Sequence, residues 1–291
     1  MTLRLGLVGH GRWGRNIERT LQSISDVSVT IVGKGEKAPA ALDGVIIATQ
    51  SASHAEVALP YIKAGIATFI EKPMATSLGD ARRIRDAAER HRTVVFVGHI
   101  FLHNPAFLRA LELLPSLGPV RYLLCEGMNA HPRTDSSVLW DWLPHHLSAG
   151  VAIFGRDPER VSAWNLSDSA QPQAAHAKFD FGDAFVISTI SWLSPIQRRL
   201  TTISCSNATM VLDDLSDRRI ALHEGDGQPS YPAYAAELPL TRELTAFITA
   251  IRSGKLDPRQ IQMGMSVVSA ITAAEDSIRR DGQPVEILGE L

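Results

Sequence analysis

Three groups of residues in this chain have types and spacings that do chemistry. The first is Phe69-Ile70-Glu71-Lys72-Pro73, a short apolar strand that ends in an acid, a lysine and a proline. A lysine at the carboxyl end of a buried strand is costly unless it has work there. It is either a catalytic ammonium or the ion-paired wall of a cleft. The second group is Asp141-x-x-x-His145. At this spacing the two side chains share one face of a helix, and a carboxylate one turn from an imidazole raises its basicity and fixes its tautomer. The competing reading makes Asp141 a simple N-cap. Pro144 argues against it, because it removes the N–H that an N-cap carboxylate would accept. The third group is Gly9-His10-Gly11-Arg12-Trp13-Gly14, which follows apolar Leu3 to Val8 and precedes a helical pattern from Asn16 to Ile24. This is G-x-G-x-x-G in a strand–turn–helix context, where a helix N-terminus receives a pyrophosphate. Gly9 allows the tight turn, Gly11 lets the anion approach the backbone, and Gly14 lets helix and strand pack closely. A glycine-rich turn with no ligand is the alternative.

These groups need elements to position them. Val27 to Val32 alternates as a second strand, and its end carries Gly33-Lys34-Gly35 where an acid would be expected to take ribose hydroxyls. Lys34 suits a 2′-phosphate better than a bare ribose; a solvated loop lysine is the alternative. Only Glu36 to Gly44 precedes the next strand, Val45 to Ala48, which is too short for the helix and third strand of a complete unit. The adenosine side of a dinucleotide pocket is therefore expected to be thin. Thr49-Gln50-Ser51-Ala52-Ser53-His54 follows that strand end and precedes a helix from Ala55 to Ala64, so Thr49 and Ser51 stand where ligands sit in open parallel sheets. His54 by itself reads as a capping or first-turn solvated group. Ser77 caps an amphipathic helix to about His91. Thr93 to Val97 is a strand, followed by Gly98 to Pro105; in that loop His99, His103 and Asn104 are either ligand-facing or packing and capping groups.

Pro115-Ser116-Leu117-Gly118-Pro119 ends the helix Phe107 to Leu114 and marks a boundary, dividing the chain into 1–118 and 119–291. Beyond it strands dominate: Val120 to Cys125, Val161 to Asn165, Ala174 to Phe181, Ala184 to Ser191, Arg198 to Cys205, Thr209 to Leu212 and Arg218 to His223, with a hairpin turn at Phe181 to Ala184. Strands in a run point to an α+β domain whose open sheet face needs a cover, for which a second subunit is the expected partner. Asn129 and Arg133 stand on the approach to Trp140-Asp141-Trp142-Leu143-Pro144-His145-His146. A zinc reading of His131, His145 and His146 lacks an acid or thiol at ligand spacing, so no metal is expected. The helices Thr241 to Ser253 and Gln260 to Arg280 support the core, and Val285 to Leu288 is a closing strand.

Composition bounds the function. The 291 residues fit one large or two ordinary domains. A net charge of -2 argues against a nucleic-acid surface. No apolar run reaches the ~20 residues of a membrane span, and no secretory signal is visible, so a cytoplasmic protein is expected. Cys125 and Cys205 lie outside any C-x-x-C and read as two buried thiols.

The glycine-rich turn, Ile46-Ile47-Ala48-Thr49 with Ser53-His54, Glu71-Lys72-Pro73, Val97-Gly98-His99, Asn104-Pro105, Asp141-x-x-x-His145, Ala273-Ala274-Glu275-Asp276-Ser277 and Pro284-Val285-Glu286-Ile287 together resemble the Gfo/Idh/MocA dehydrogenases. The resemblance covers nearly the whole chain, and Glu71-Lys72-Pro73 is its most specific part. It implies an α/β N-terminal Rossmann domain, here abbreviated after its second strand, and an α+β C-terminal domain with a large, mostly antiparallel open sheet. It further implies a homodimer or homotetramer formed through that sheet. The implied activity is NAD- or NADP-dependent hydride transfer to or from a secondary alcohol of a sugar, cyclitol or nucleotide sugar. Catalytic roles then fall to Lys72, Asp141 and His145. Gly9, Gly11, Arg12, Trp13, Gly14, Lys34, Thr49, Ser51, His54, Glu71, Lys72 and Pro73 would serve the cofactor, and His99, His103, Asn104, Asn129, Arg133 and His146 the substrate. An acid stands beside the catalytic histidine in many members of this family, where this chain has His146. Two other classes remain: a hydrolase or lyase using a tightly bound NAD in a redox–elimination cycle, and a non-catalytic NADP sensor, which the short Glu36 to Gly44 segment favours.

Overall fold

The computed structural model describes residues 2–33, 41–134 and 136–289. In chain order it begins with β1 (Leu3–Val8), α1 (Arg12–Gln22), β2 (Val27–Val32), β3 (Gly44–Ile47), α2 (His54–Lys63), β4 (Ala67–Glu71), α3 (Leu78–His91), β5 (Val95–Gly98) and α4 (Pro105–Leu113). It continues with β6 (Val120–Met128), α5 (Val138–Phe154), β7 (Arg160–Asn165), β8 (Ala174–Asp180), β9 (Phe185–Ser191), β10 (Arg198–Cys205), β11 (Thr209–Asp213) and β12 (Ile220–His223). It ends with α6 (Pro239–Ser253), α7 (Pro258–Arg279) and β13 (Val285–Glu286). Met1–Ile100 with Glu237–Val268 form one compact unit, and Phe101–Ala236 with Ser269–Leu291 form another. Where the sequence suggested a single cut after Gly118, the helix α6 thus goes with the first strands.

The first unit is built on a five-stranded parallel sheet in the order β2-β1-β3-β4-β5. Strands β3, β4 and β5 are buried along their whole length, as apolar runs in a parallel sheet must be when both faces are covered. The strand order reverses between β1 and β3, so their carboxyl ends flank a topological switch point, where ligands bind in open α/β sheets. Among the described residues only β2 lies beyond β1, in line with the abbreviated arrangement expected from the short segment after Val32. Leu244, Phe247 and Ile248 follow helical spacing and bury one face of α6 against Phe69, Phe96 and the apolar side of α1. Phe69 stacks on Phe96 at 5.4 Å and meets Phe247 edge-on at 5.5 Å. This aromatic contact is why α6 belongs to the first unit.

The second unit holds an eight-stranded sheet in the order β12-β11-β10-β6-β9-β8-β7-β13. All its pairs are antiparallel except β6 with β9. Burial alternates along β9 and, from Leu200 onward, along β10, so one face is packed and the other is partly open. The hairpin at Phe181 to Ala184 forms as expected: Phe181 N–H donates to the Ala184 carbonyl, and Gly182 takes a left-handed φ of 72°. Strand β6 runs on past Cys125 to Met128, and β12 starts at Ile220 rather than Arg218. Among the described residues no helix is long and apolar enough to cross a membrane.

Candidate active site

In the first unit, the turn after β1 is shaped by its glycines. Gly9 has a φ of 98°, and a Cβ there would lie 2.5 Å from the Ala48 carbonyl carbon and 2.7 Å from Thr49 N. Only a residue without a side chain lets the turn press against the end of β3 in this way. A Cβ at Gly14 would lie 3.0 Å from the Gly9 carbonyl carbon and closer still to its oxygen, so Gly14 seats α1 on the turn. Gly11 differs. It is the N-cap of α1 with no side-chain cap, and a Cβ there would meet nothing within 4 Å. Its outer side is an open cradle at a helix N-terminus, with Arg12 next to it and no acid in the first turn. Amide donors, a positive helix end and space that a methyl would fill fit a dinucleotide's pyrophosphate.

Trp13, from the same turn, donates its indole N–H to Glu71 Oε1 at 2.6 Å, while its ring remains 38% exposed. Glu71 is buried at the end of β4, and its Oε2 accepts the Lys72 backbone N–H at 3.2 Å. Lys72 follows directly, half-buried, and the Lys72–Pro73 peptide is cis.

His54 corrects the reading of a capping or first-turn solvated group. Its ring is 1% exposed, with Nδ1 at 2.8 Å from the Pro73 carbonyl and Nε2 at 3.1 Å from the Thr49 carbonyl. Burial holds its pKa below the usual histidine value. A neutral imidazole has one N–H, and the shorter contact assigns it to Nδ1. His54 therefore braces the loop after β3 against the Lys72–Pro73 turn. The cap of α2 is Ser53, whose hydroxyl donates to the Gln50 carbonyl and lies 2.9 Å from Thr49 Oγ1. Ser51 opens the short 3-10 turn in this loop. His99 is buried beyond the end of β5. Lys34 lies outside the described residues.

In the second unit, α5 carries Asp141 and His145 on one face. The helix is capped by Ser137, so Asp141 stands inside the first turn and is not its N-cap. Its Oδ1 pairs with Arg133 at 3.2 Å, and its Oδ2 accepts the Trp192 indole N–H at 3.0 Å. The preceding Trp140 is fixed by its own N–H, donated to Glu275 Oε1 at 2.7 Å. His145 is half-buried, with Trp142 edge-on at 6.4 Å. These bonds hold the Asp141 side chain in place at the helix start, between a guanidinium and an indole N–H.

Two of the residues assigned to the substrate are occupied otherwise. His146 is 6% exposed, its Nδ1 lies 2.6 Å from Ser188 Oγ, and burial pushes its pKa down to about 3. It faces the sheet, because one residue past His145 is roughly 100° round the helix. Asn104 is the N-cap of α4: its side-chain oxygen accepts the Ala106 N–H, and its amide donates to Asp214 Oδ1 at 2.7 Å. Asn129 Oδ1 accepts the His131 N–H. Arg133 is exposed, and His103 is half-buried just before α4. Trp192, Ser188 and Glu275 went unrecognised as partners of the α5 residues, because nothing local in the sequence ties them to α5.

A family model described as an oxidoreductase family with an NAD-binding Rossmann fold matches residues 13–99. UDP-N-acetylglucosamine 3-dehydrogenase of Acidithiobacillus ferrooxidans is 27% identical over 86% of this chain and 88% of its own length. Over residues 13–99 by the family model, and over most of its length by this relative, the chain is similar to the Gfo/Idh/MocA oxidoreductases. Inositol 2-dehydrogenase of Acidiphilium cryptum, also similar, is 28% identical over 66% of this chain and 65% of its own length, just under two thirds. The solved structure of the Acidithiobacillus ferrooxidans enzyme has the same fold, with a TM-score of 0.86, 20% identity, and coverage of 97% of this chain and 100% of that one. The matched residues run from Trp13 in α1 to the residue after β5, the greater part of the parallel-sheet region described above.

Proposed function

We propose that this chain is an NAD(P)-dependent dehydrogenase or reductase acting on a secondary alcohol or ketone of a sugar, cyclitol or nucleotide sugar. The observation that carries the reading is the open Gly11 cradle joined, through Trp13 and Glu71, to Lys72 at the end of β4. Both curated relatives named above are dehydrogenases, one of a cyclitol and one of a nucleotide sugar. The amides around Gly11 would hold the pyrophosphate, and the loop from Thr49 to His54 would border the nicotinamide ribose. When bound, the cofactor supplies hydride exchange at its nicotinamide ring. In oxidation, His145 accepts the hydroxyl proton, a role suited to a pKa near working pH. Lys72, as ammonium, is the group suited to stabilise developing negative charge on a substrate oxygen. Asp141, fixed by Arg133 and Trp192, sets the electrostatics of that helix face. In reduction the roles reverse.

Of the two cofactors we favour NADP, because the stretch after β2 holds Lys34 where an acid would repel a 2′-phosphate. Cytoplasmic location is proposed from two free buried thiols. A homodimer or homotetramer is proposed to form through the open sheet face, where Leu124 on β6 and Trp164 on β7 are 38% and 41% exposed. The test is a fluorescence titration with NADH and NADPH, followed by turnover on a panel of cyclitols, aldoses and nucleotide sugars. Binding of either cofactor with turnover on at least one panel class is expected, and Lys34→Ala should erode the NADPH preference. Failure of both nucleotides to bind would overturn the reading.

A further inference from the structure

Glu243 is a costly side chain in the first unit. It is fully buried on α6, and neither carboxyl oxygen has a hydrogen-bond partner among the described residues. Its neighbours Leu244, Phe247 and Ile248 belong to the apolar cluster that contains Phe69 and Phe96. Phe69 lies two residues before Glu71 on β4. A Cβ at Gly98 on β5 would sit 2.6 Å from the Phe69 ring and 3.4 Å from the Glu71 carboxyl carbon. A buried carboxylate with no donor is strongly disfavoured, and two buried carboxyls near one another do not both ionise.

The two members are not equivalent. Glu71 has the Trp13 indole N–H, the Lys72 backbone N–H and the Lys72 charge to stabilise an anion. Glu243 has none of these. Burial raises both carboxyls; Trp13 and Lys72 offset this only in part at Glu71, which is raised to about 7, and the charge on Glu71 raises Glu243 further. The other titratable groups nearby are His54, whose pKa burial and the Lys72 charge both lower, and His99, next after Gly98.

We propose that Glu243 and Glu71 act as a positioning pair, in which Glu243 holds the proton and Glu71, left ionised, ties Trp13 of the glycine-rich turn to the Lys72 end of β4. Charge-assisted bonds to Glu71 are stronger than bonds to its neutral form, so the turn and Lys72 are held as one piece only when the proton is on Glu243. The bearing of the pair on cofactor affinity rests on the function proposed above; the pair itself does not.

The experiment uses the whole chain without and with NADH. Trp13 is one of five tryptophans, and its emission is isolated as wild type minus Trp13→Phe. Between about pH 5 and pH 9 it should show one transition, absent in Glu71→Gln. The infrared difference spectrum of wild type minus Glu243→Gln at about pH 8 should contain the carbonyl stretch of a protonated carboxylic acid, since an exposed glutamate is ionised there. Glu71→Gln should weaken NADH binding about tenfold or more, with partial recovery in Glu71→Asp, which keeps the charge. A Trp13 emission flat with pH, or a difference spectrum with no protonated-acid band, would overturn the pair, and both readings survive a Glu71→Gln variant that does not fold. Wild-type protein that shows both signals but binds no NADH would instead sink the proposed function.

Discussion

Alanine at Gly11 and at Gly14 should separate binding from stability. At Gly14 a Cβ would lie 3.0 Å from the Gly9 carbonyl carbon, inside the roughly 3.5–4.0 Å of a comfortable carbon contact. Because the Gly9 oxygen is closer still, helix α1 must then back away by about 1 Å or more, and overpacking of this kind costs about 1–3 kcal/mol. For a unit of this size that is a fall in Tm of about 4–12 °C. At Gly11 the same methyl meets nothing within 4 Å, and its φ of -72° with ψ of -163° is extended backbone open to alanine. Stability should move by about 0.5 kcal/mol or less, as at an unencumbered surface site. The methyl would nonetheless occupy the space into which a phosphate oxygen must come to reach the α1 amides. Losing one charge-assisted hydrogen bond of about 1.5–3 kcal/mol weakens binding about 10- to 150-fold. Calorimetric melts without nucleotide and fluorescence titrations with NADH and NADPH measure the two effects. Gly11→Ala binding as tightly as wild type would refute the cradle, and equal loss of stability in both variants would refute the packing argument.

Lys72→Ala should leave cofactor binding nearly intact and cut turnover by about 100-fold or more, the scale of one lost preorganised donor; activity within a few-fold of wild type would make Lys72 structural. His145→Asn should abolish the acidic limb of the pH–rate profile, whereas His146→Asn should keep it; the opposite pattern would transfer the proton to His146. His146→Asn should act on stability instead. Burial lowers the His146 pKa from 6.5 to about 3, so the folded chain keeps it neutral while the unfolded chain protonates it. That contribution is full above about pH 6.5 and is lost as the pH falls towards 3, by at most ~1.4 kcal/mol per pH unit. A wild-type minus His146→Asn stability difference that does not shrink across this window would contradict the buried neutral ring.

The sequence by itself determined what is local. Glycine spacing placed the turn between β1 and α1, apolar runs marked the strands of the parallel sheet, and alternation marked those of the second sheet. The four-residue spacing put Asp141 and His145 on one helix face, and the short stretch after Val32 showed that the parallel sheet would be abbreviated. These follow from periodicity and chain length, which any short window of residues contains. Tertiary structure decided which groups meet across long stretches of chain. His54 looked like a first-turn group, yet its ring is closed in by the carbonyls of Thr49 and Pro73. His146, one residue from the proposed base, is turned onto Ser188 from a strand far along the chain. Glu243 reads locally as an ordinary glutamate near the start of an amphipathic helix, and α6 as a helix of the second half. Only the packing of Phe247 against Phe69 and Phe96 carries that helix into the first unit and its carboxyl out of water. Helical periodicity says which face of α6 is buried; the desolvation of Glu243 depends on what that face is buried against, and that partner lies more than a hundred residues earlier in the chain.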